Sequence, residues 1–399
     1  MRPKILAPVG DLAMLRAAID NGADEIYFGT KMLNMRATAK NFELSQLKSI
    51  ADTCHAKQVK AYCTVNTTIY NNEIATAEKI VLEAKKAGID GIICWDMAII
   101  ALCKQHMMPF HISTQAGIAN SKSAQMYKDM GAQRIVLARE CDLTQIQEII
   151  NKVDIEVEVF IHGAMCVSVS GRCFMSHFMT GKSANRGECI QPCRREYDII
   201  DPISKKKLIL ENHHIMSPQD LCALPILDKL VNAKIGFLKI EGRNKQAEYV
   251  AATVNAYRKA LDAIEQGTFD EKQKEQLILQ LKKVYNRGLD TGFYEDIPSA
   301  WDDSKFGKAK QEKQFVGLIK KIYAKVNVAE IGVTAQPLRE GDMIMIQGKN
   351  SGSQTCIIEG MQDVDDNKVS IIQKATALVK LPFLARPGEK VFVVKQSKV

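Results

Sequence analysis

The chain has 399 residues, 46% of them hydrophobic and 25% charged, the balance of a soluble globular protein with room for one large domain and one small one. Its net charge of +8 is a mild basic excess and not a nucleic-acid-binding tail, although it suits a partner with a phosphate backbone. No apolar run reaches the roughly 20 residues of a membrane span, and Met1-Arg2-Pro3-Lys4 leads into strand-like sequence without an apolar signal region, so a cytoplasmic protein without membrane contact is expected.

In chain order, short and largely apolar runs predict strands at Lys4–Ala7, Glu25–Phe28, Lys60–Val65 and Gly91–Cys94. Four more follow at Phe110–Ser113, Arg134–Leu137, Glu156–Phe160 and Phe237–Ile240. Amphipathic segments lie between them: Leu12–Asn21 behind Asp11 as N-cap, Ala75–Ala87, Ser121–Met130, and Leu143–Asn151 behind Asp142. Strand–helix alternation implies a parallel sheet, and eight such units in about 250 residues match a TIM-like (β/α)8 barrel. The count of eight and the lack of a Gly-x-Gly-x-x-Gly turn disfavour an open doubly wound sheet.

Barrel enzymes carry their chemistry where the strands end, and these ends are polar. They offer Asn66, Trp95, Asp96, Ser113, Thr114 and Gln115, then Arg139, His162, Glu241 and Arg243. Asn66 and Gln115 are expected to bind substrate by reading a base edge through paired hydrogen bonds. Arg243 is expected to grip an anion with its forked guanidinium, while Glu241-Gly242-Arg243 also reads as a salt bridge closing the barrel. Glu158 is a carboxylate in an otherwise mostly apolar strand. Facing inward it would be a buried acid of raised pKa suited to proton transfer; facing outward it would pair with an arginine. The candidate catalytic residues are therefore Glu158, Glu241 and Arg243.

The loop after the seventh strand holds four of the eleven cysteines, Cys166, Cys173, Cys189 and Cys193, among Gly163, Gly171, Gly181, Gly187 and Pro192. Such bends let a backbone wrap a bound object. A reducing compartment argues against disulfides, and clustering argues against independent core thiols. The spacings Cys-x6-Cys and Cys-x3-Cys do not fit the tight pairs of a zinc ribbon. Iron–sulfur clusters take four thiolates at looser spacing, so the residues favour a cluster over zinc without excluding zinc. His162 and His177 flank the first two cysteines, which leaves open a cysteine–histidine nucleophile.

Beyond the loop, Tyr197–Leu210 reads as a hairpin, and Ser217-Pro218-Gln219-Asp220 opens a predicted helix through Leu230 that carries Cys222 as a core residue. Helices are expected at Ala247–Ile264 and Asp270–Tyr285, then a lysine-rich connection from Ser304 to Gln314. From Phe315 the pattern turns to β-type runs at Val316–Tyr323, Val326–Val333, Asp342–Gln347, Thr355–Met361, Lys368–Ile372 and Lys390–Val394, a small all-β barrel or sandwich. The expected division is a barrel domain over 1–300 with its cysteine loop at 158–197, a linker over 301–314, and a β-barrel domain over 315–399.

The stretch Glu158-x-Phe160-x-x-Gly163-Ala164-Met165-Cys166-x4-Gly171-x-Cys173-x-Met175-Ser176 resembles the signature of peptidase family U32, the collagenase-like proteins. The resemblance extends to Leu6-Ala7-Pro8-Val9-Gly10-Asp11, to the run from Asn21 to Gly29, and to Lys239-Ile240-Glu241-Gly242-Arg243. It implies a barrel-like fold and a C-terminal β-barrel of the kind common in translation factors. It also implies a 4Fe-4S cluster on Cys166, Cys173, Cys189 and Cys193, and RNA as substrate, either a tRNA wobble uridine or a ribosomal RNA cytidine. A small oxygen donor, prephenate or a derived metabolite, is implied as co-substrate. The expected activity is hydroxylation of the tRNA wobble uridine to 5-hydroxyuridine. The alternatives are a collagenase-like peptidase and a non-catalytic cluster-binding partner that positions RNA.

Overall fold

Eight parallel strands close into a barrel in the computed structural model, which describes residues 2–208, 213–295, 301, 302, 304 and 307–397. They are β1 (Lys4–Val9), β2 (Glu25–Gly29), β3 (Lys60–Thr64), β4 (Gly91–Cys94), β5 (Phe110–Ile112), β6 (Arg134–Val136), β7 (Glu156–Ala164) and β8 (Phe237–Ile240). Each pairs with the next in sequence, and β8 pairs with both β7 and β1 to complete the ring. Every residue of β2 and β4 is buried, as strands covered on both faces require.

Helices α1 (Leu12–Asp20), α2 (Leu47–His55), α3 (Ile74–Ala87), α4 (Met97–Gln105), α5 (Ser121–Asp129) and α6 (Leu143–Lys152) follow the first six strands. Asp11, Asp96 and Asp142 cap α1, α4 and α6, each accepting a backbone N–H of its helix's first turn. The main apolar core lies between strands and helices, while Leu6, Tyr27, Tyr62 and Ile93 form a separate small cluster inside the barrel.

Much of the remaining barrel interior is charged. Arg134, 2% exposed, donates to Glu25 at 2.6 Å, to Glu156 at 3.0 Å and to Glu158 at 3.1 Å. Its guanidinium lies 3.2 Å from the centroid of the Phe237 ring. Lys239 completes the network with a 2.7 Å contact to Glu158. Glu158 therefore faces inward, but the raised pKa expected of a proton-transfer acid is corrected. Burial alone would push its carboxyl up, and Lys239 and Arg134 together override burial and hold it below the usual range. It is a paired carboxylate inside the barrel.

The segment between β7 and β8 departs from expectation. The predicted helix from Ser217 does not start there: Asp220–Cys222 forms a strand antiparallel to the end of β7, because β7 runs on to Ala164 and offers an edge. Leu289–Asp290 then joins this strand in parallel. Pro225 sits in a short 3-10 turn, and only α8 (Leu227–Asn232) is α-helical. Cys222 is 1% exposed in the core, as expected. Within the cysteine loop, α7 (Met175–Thr180) is a short helix. The expected hairpin forms as Ile199–Ile200 against Lys207–Leu208, and its predicted last two residues, 209 and 210, lie outside the described residues.

After β8 come α9 (Ala247–Gln266) and α10 (Glu271–Leu281). The expected domain boundary at 300 also lies outside the described residues. The long strand Gln311–Tyr323 starts inside the predicted linker, because Gln311 to Gln314 pair with Val393 to Gln396. It belongs to a seven-stranded antiparallel sheet ordered Gly352–Ile357, Met343–Gly348, Lys390–Gln396, Gln311–Tyr323, Val328–Val333, Thr376–Lys380 and Met361–Gln362. One apolar cluster, including Val316, Ile331, Ile346, Val379 and Val391, fills this all-β domain. The domain seats on α1 and α9: a Cβ at Gly352 would stand 2.8 Å from the Ala17 nitrogen, and Lys313 pairs with Glu248 at 2.8 Å. Among the described residues no helix is long and apolar enough to cross a membrane.

Replacing Arg134 by Met leaves Glu25 buried without a cation and strips one of the two from Glu158. The expected loss of stability is about 3–5 kcal/mol, read by urea denaturation. A loss under about 1 kcal/mol would show that the network does not hold the barrel.

Candidate active site

The C-terminal ends of the strands meet on one face, and the cysteine loop covers part of it. Its anchor is Gly187 (φ +87°), whose Cβ, if present, would stand 2.2 Å from the Asn34 carbonyl oxygen. Only glycine permits that approach in that conformation. The Ala37 N–H donates to the Gly187 carbonyl at 3.1 Å, so the loop is stitched to the segment after β2. Arg186 adds a forked contact to Glu73 and a bond to the Thr68 carbonyl. On the other side Arg194 binds Ser217 at 2.9 Å and the Met165 and Pro218 carbonyls.

Cys166 and Cys189 are exposed, and Cys173 and Cys193 are half-buried. Three of the four sulfurs accept a backbone N–H from two residues downstream: Cys166 from Ser168 at 3.4 Å, Cys173 from Met175 at 3.3 Å, and Cys189 from Gln191 at 3.4 Å. Amides turned toward sulfur tune a metal bound there. The Cys193 thiol is pushed up by burial first; Arg194 opposes this, and the thiols of Cys166, Cys189 and Cys173 reinforce it. Cys193 thus lies within electrostatic reach of the other three. Among the described residues, no three Cys, His, Asp or Glu side chains are drawn together closely enough to hold a metal ion. The donor set has the chemistry for an iron–sulfur cluster or a thiolate metal.

Below the loop lies a buried cluster of opposite charges. Glu241 pairs with Arg36 at 2.8 Å and accepts from the Tyr27 hydroxyl at 3.3 Å. Burial would raise its pKa, yet Arg36, Arg139 and Arg243 override burial and hold it at about 2. Arg243, 3% exposed, donates through Nη1 to Thr64 at 2.9 Å and to Asn34 at 3.1 Å. Its Nε has no partner, and among the described residues no carboxylate pairs with it. Burial first, then the Arg36 charge, lower its pKa to about 10. A buried guanidinium with neutral partners suits an incoming anion. Gly29 makes room for it, since a Cβ there would lie 2.4 Å from Nη1.

Beside this cluster opens a pocket of about 320 Å³, lined by Met35, Trp95, Gln115, Arg172, Phe174 and Asn185 among others. The Arg172 guanidinium lies 4.7 Å from the Trp95 ring centroid, and the Trp95 indole donates to the Asn66 carbonyl at 2.9 Å. Asn185 accepts the Cys173 N–H at 3.0 Å, so the pocket and the cysteines share a wall. Aromatic faces, an amide and a cation are what a flipped nucleobase needs.

Of the expected site residues, the mouth brings together Glu241, Arg243, Gln115 and the four cysteines. Glu158 lies apart, in the ion network around Arg134. Asn66 is near the pocket, but its amide is committed to the Met35 N–H and to Ser113, so it supports the site and does not read a base. His162 packs against Tyr249 and Tyr257 of α9. Burial lowers its pKa to about 3, which makes it a poor partner for a thiolate. Arg36, Arg172 and Phe174 escaped the reading of strand ends because they sit deep in loops. The basic and aromatic side chains flanking Cys173 were the available signal for the last two.

The family model for peptidase family U32 matches residues 10–303. A Methanocaldococcus jannaschii protein described as an uncharacterized protease is 38% identical over 99% of this chain and 98% of its own. A collagenase of Porphyromonas gingivalis is 36% identical over 98% of this chain and 97% of its own. A tRNA hydroxylation protein of Bacillus subtilis is 33% identical over 95% of this chain and 91% of its own.

Placing Ala at Gly187 should force the cysteine loop off the segment after β2. The expected outcome is faster limited proteolysis within 166–193, while the melting temperature of the barrel stays within about 4 °C. An unchanged cleavage rate would show that this contact does not anchor the loop.

Proposed function

The chain belongs to peptidase family U32, and from that membership and the shape of its barrel mouth we propose that it hydroxylates an RNA base. The substrate we propose is the tRNA wobble uridine and the product 5-hydroxyuridine. The observation that carries this reading is the pocket beside Cys173, with Trp95 and Phe174 as stacking faces, Gln115 as an edge contact and Arg172 as a cation. The similarity to a protein named for tRNA hydroxylation supports it, as does the net charge of +8.

Cys166, Cys173, Cys189 and Cys193 are the residues that would hold a 4Fe-4S cluster. Such a cluster, when bound, supplies electron transfer or a Lewis-acidic iron next to the pocket. The remaining steps fall to the chain's own side chains. Trp95 and Phe174 stack the extruded base, which offsets part of the unstacking cost. Arg243 receives the anionic group of a small oxygen donor, for which prephenate or a derived metabolite is the proposed class. Glu241 stays ionised at neutral pH and fixes Arg36 at the pocket's base, so it orients and does not itself deliver a proton.

The collagenase-like reading draws on the Porphyromonas gingivalis relative. The site favours it less, because His162 is turned to α9. Catalysis by this chain, as opposed to RNA positioning for another enzyme, is tested with the purified protein alone on unmodified tRNA.

Three experiments test the proposal. A deletion strain should lose 5-hydroxyuridine and its derivatives from tRNA, and an unchanged nucleoside profile would refute the reading. Single Cys→Ala changes at 166, 173, 189 or 193 should remove most iron and sulfide, whereas Cys222→Ala should not. Arg243→Ala should lower modification by about tenfold or more with iron retained, and Arg243→Lys should recover only part, since lysine keeps the charge and loses the fork.

A further inference from the structure

The orientation of the Gln115 amide is dictated from outside the pocket. The backbone N–H of Met35 can only donate, and it donates to Asn66 Oδ1 at 3.1 Å. This fixes the Asn66 amide, and its Nδ2 then faces Ser113 Oγ at 3.4 Å. Ser113 accepts from Asn66, which frees its hydroxyl proton for Gln115 Oε1 at 2.5 Å. All three polar side chains are buried, at 6%, 4% and 8% exposure, so water does not readily rearrange the chain of bonds. With Oε1 taken, the amide group left to face the pocket is Nε2, a donor and nothing else.

We propose that this relay, from Met35 through Asn66 and Ser113 to Gln115, makes the pocket a reader of carbonyl edges. Among pyrimidines it accepts uracil, whose O4 takes the Nε2 hydrogen bond, and rejects cytosine, whose N4 amine would set donor against donor. The inference rests on the RNA reading above and deepens it by naming the residues that select the base. Asn66 and Ser113 act as positioning residues, and Gln115 touches the substrate. Two donors facing each other in a desolvated pocket leave both unsatisfied, a mismatch of about tenfold or more in affinity.

The test uses two anticodon stem-loop RNAs that differ only in U or C at the wobble position. They are titrated against full-length protein while Trp95 fluorescence is followed. Changing Trp301, the second of the chain's two tryptophans, to Phe removes the competing signal. The expected result is about tenfold tighter binding of the U loop. Gln115→Glu replaces the donor by an acceptor and should reverse the preference toward C. Asn66→Asp never enters the pocket, yet it should weaken or reverse the preference: an aspartate accepts the Ser113 proton, and Gln115 then turns its Oε1 to the pocket. A purely structural role for Asn66 would lower affinity for both loops equally. If Asn66→Asp fails to fold, Gln115→Glu keeps the test decisive, because it leaves the head of the relay intact. Equal binding of the two loops by the unaltered relay overturns the base assignment while leaving the RNA reading in place. Failure to bind either loop overturns the RNA reading itself.

Discussion

Charge buried inside a closed ring of strands is the constraint on which the rest of this structure depends. The barrel interior holds Arg134, Lys239, Glu25 and Glu158 at 4% exposure or less, where isolated ions would be very unfavourable. Each is tolerated because a partner of opposite charge reaches it from another strand: Arg134 from β6 meets Glu25 from β2 and Glu158 from β7, and Lys239 from β8 meets Glu158. These pairs bridge strands across the barrel and β8 to β7, so they fix which side chains can point inward. Glu25 and Glu158 still differ, since burial raises the first while its cations hold the second down.

The same economy of partners organises the mouth, with one imbalance. Arg36 and Glu241 pair directly, whereas among the described residues Arg243 hydrogen-bonds to the neutral oxygens of Asn34 and Thr64 and makes no ion pair. Burial and the neighbouring Arg36 accordingly depress its pKa. Among the described residues the fold leaves a cation without a carboxylate in direct contact where the strands open, and pairs its cations below, which is how a barrel separates binding from structure. Gly29 is the local adaptation that admits the guanidinium, so a feature of β2 makes sense only through a side chain that follows β8.

Much of the architecture was legible in the sequence because a strand buried on both faces leaves a plain signature, an apolar run ended by a helix cap. Asp11 and Asp142 marked two helix starts that the structure realises. Reading failed where tertiary pairing overrode local pattern. Asp220–Cys222 lies in a helix-like stretch, yet it becomes a strand because the end of β7 is free to pair. Gln311 to Gln314 look like linker, yet they pair with the last strand of the chain. For the site, clustering and strand position were enough to place the cysteines and Gln115 at the barrel mouth. Roles were less legible: Glu158 and Asn66 have the right chemistry for function, and only their partners, Arg134 and Lys239 for one, Met35 and Ser113 for the other, reveal them as supports.

The cysteine loop and the pocket at the barrel mouth are one construction. Arg172, Phe174 and Asn185 line the pocket, and each belongs to the loop that carries Cys173 and Cys189. The loop in turn is held by Gly187 against Asn34, the residue that also receives Arg243. Ordering the loop therefore sets the position of the thiols and completes the outer wall of the pocket. These two features cannot vary independently. A change that loosens the loop removes the pocket's outer wall as well as the thiol geometry, whereas Gln115 and its relay stand on the segments after β2, β3 and β5. The inner wall is built on the barrel and the outer wall on the loop, so the loop decides whether there is a pocket at all.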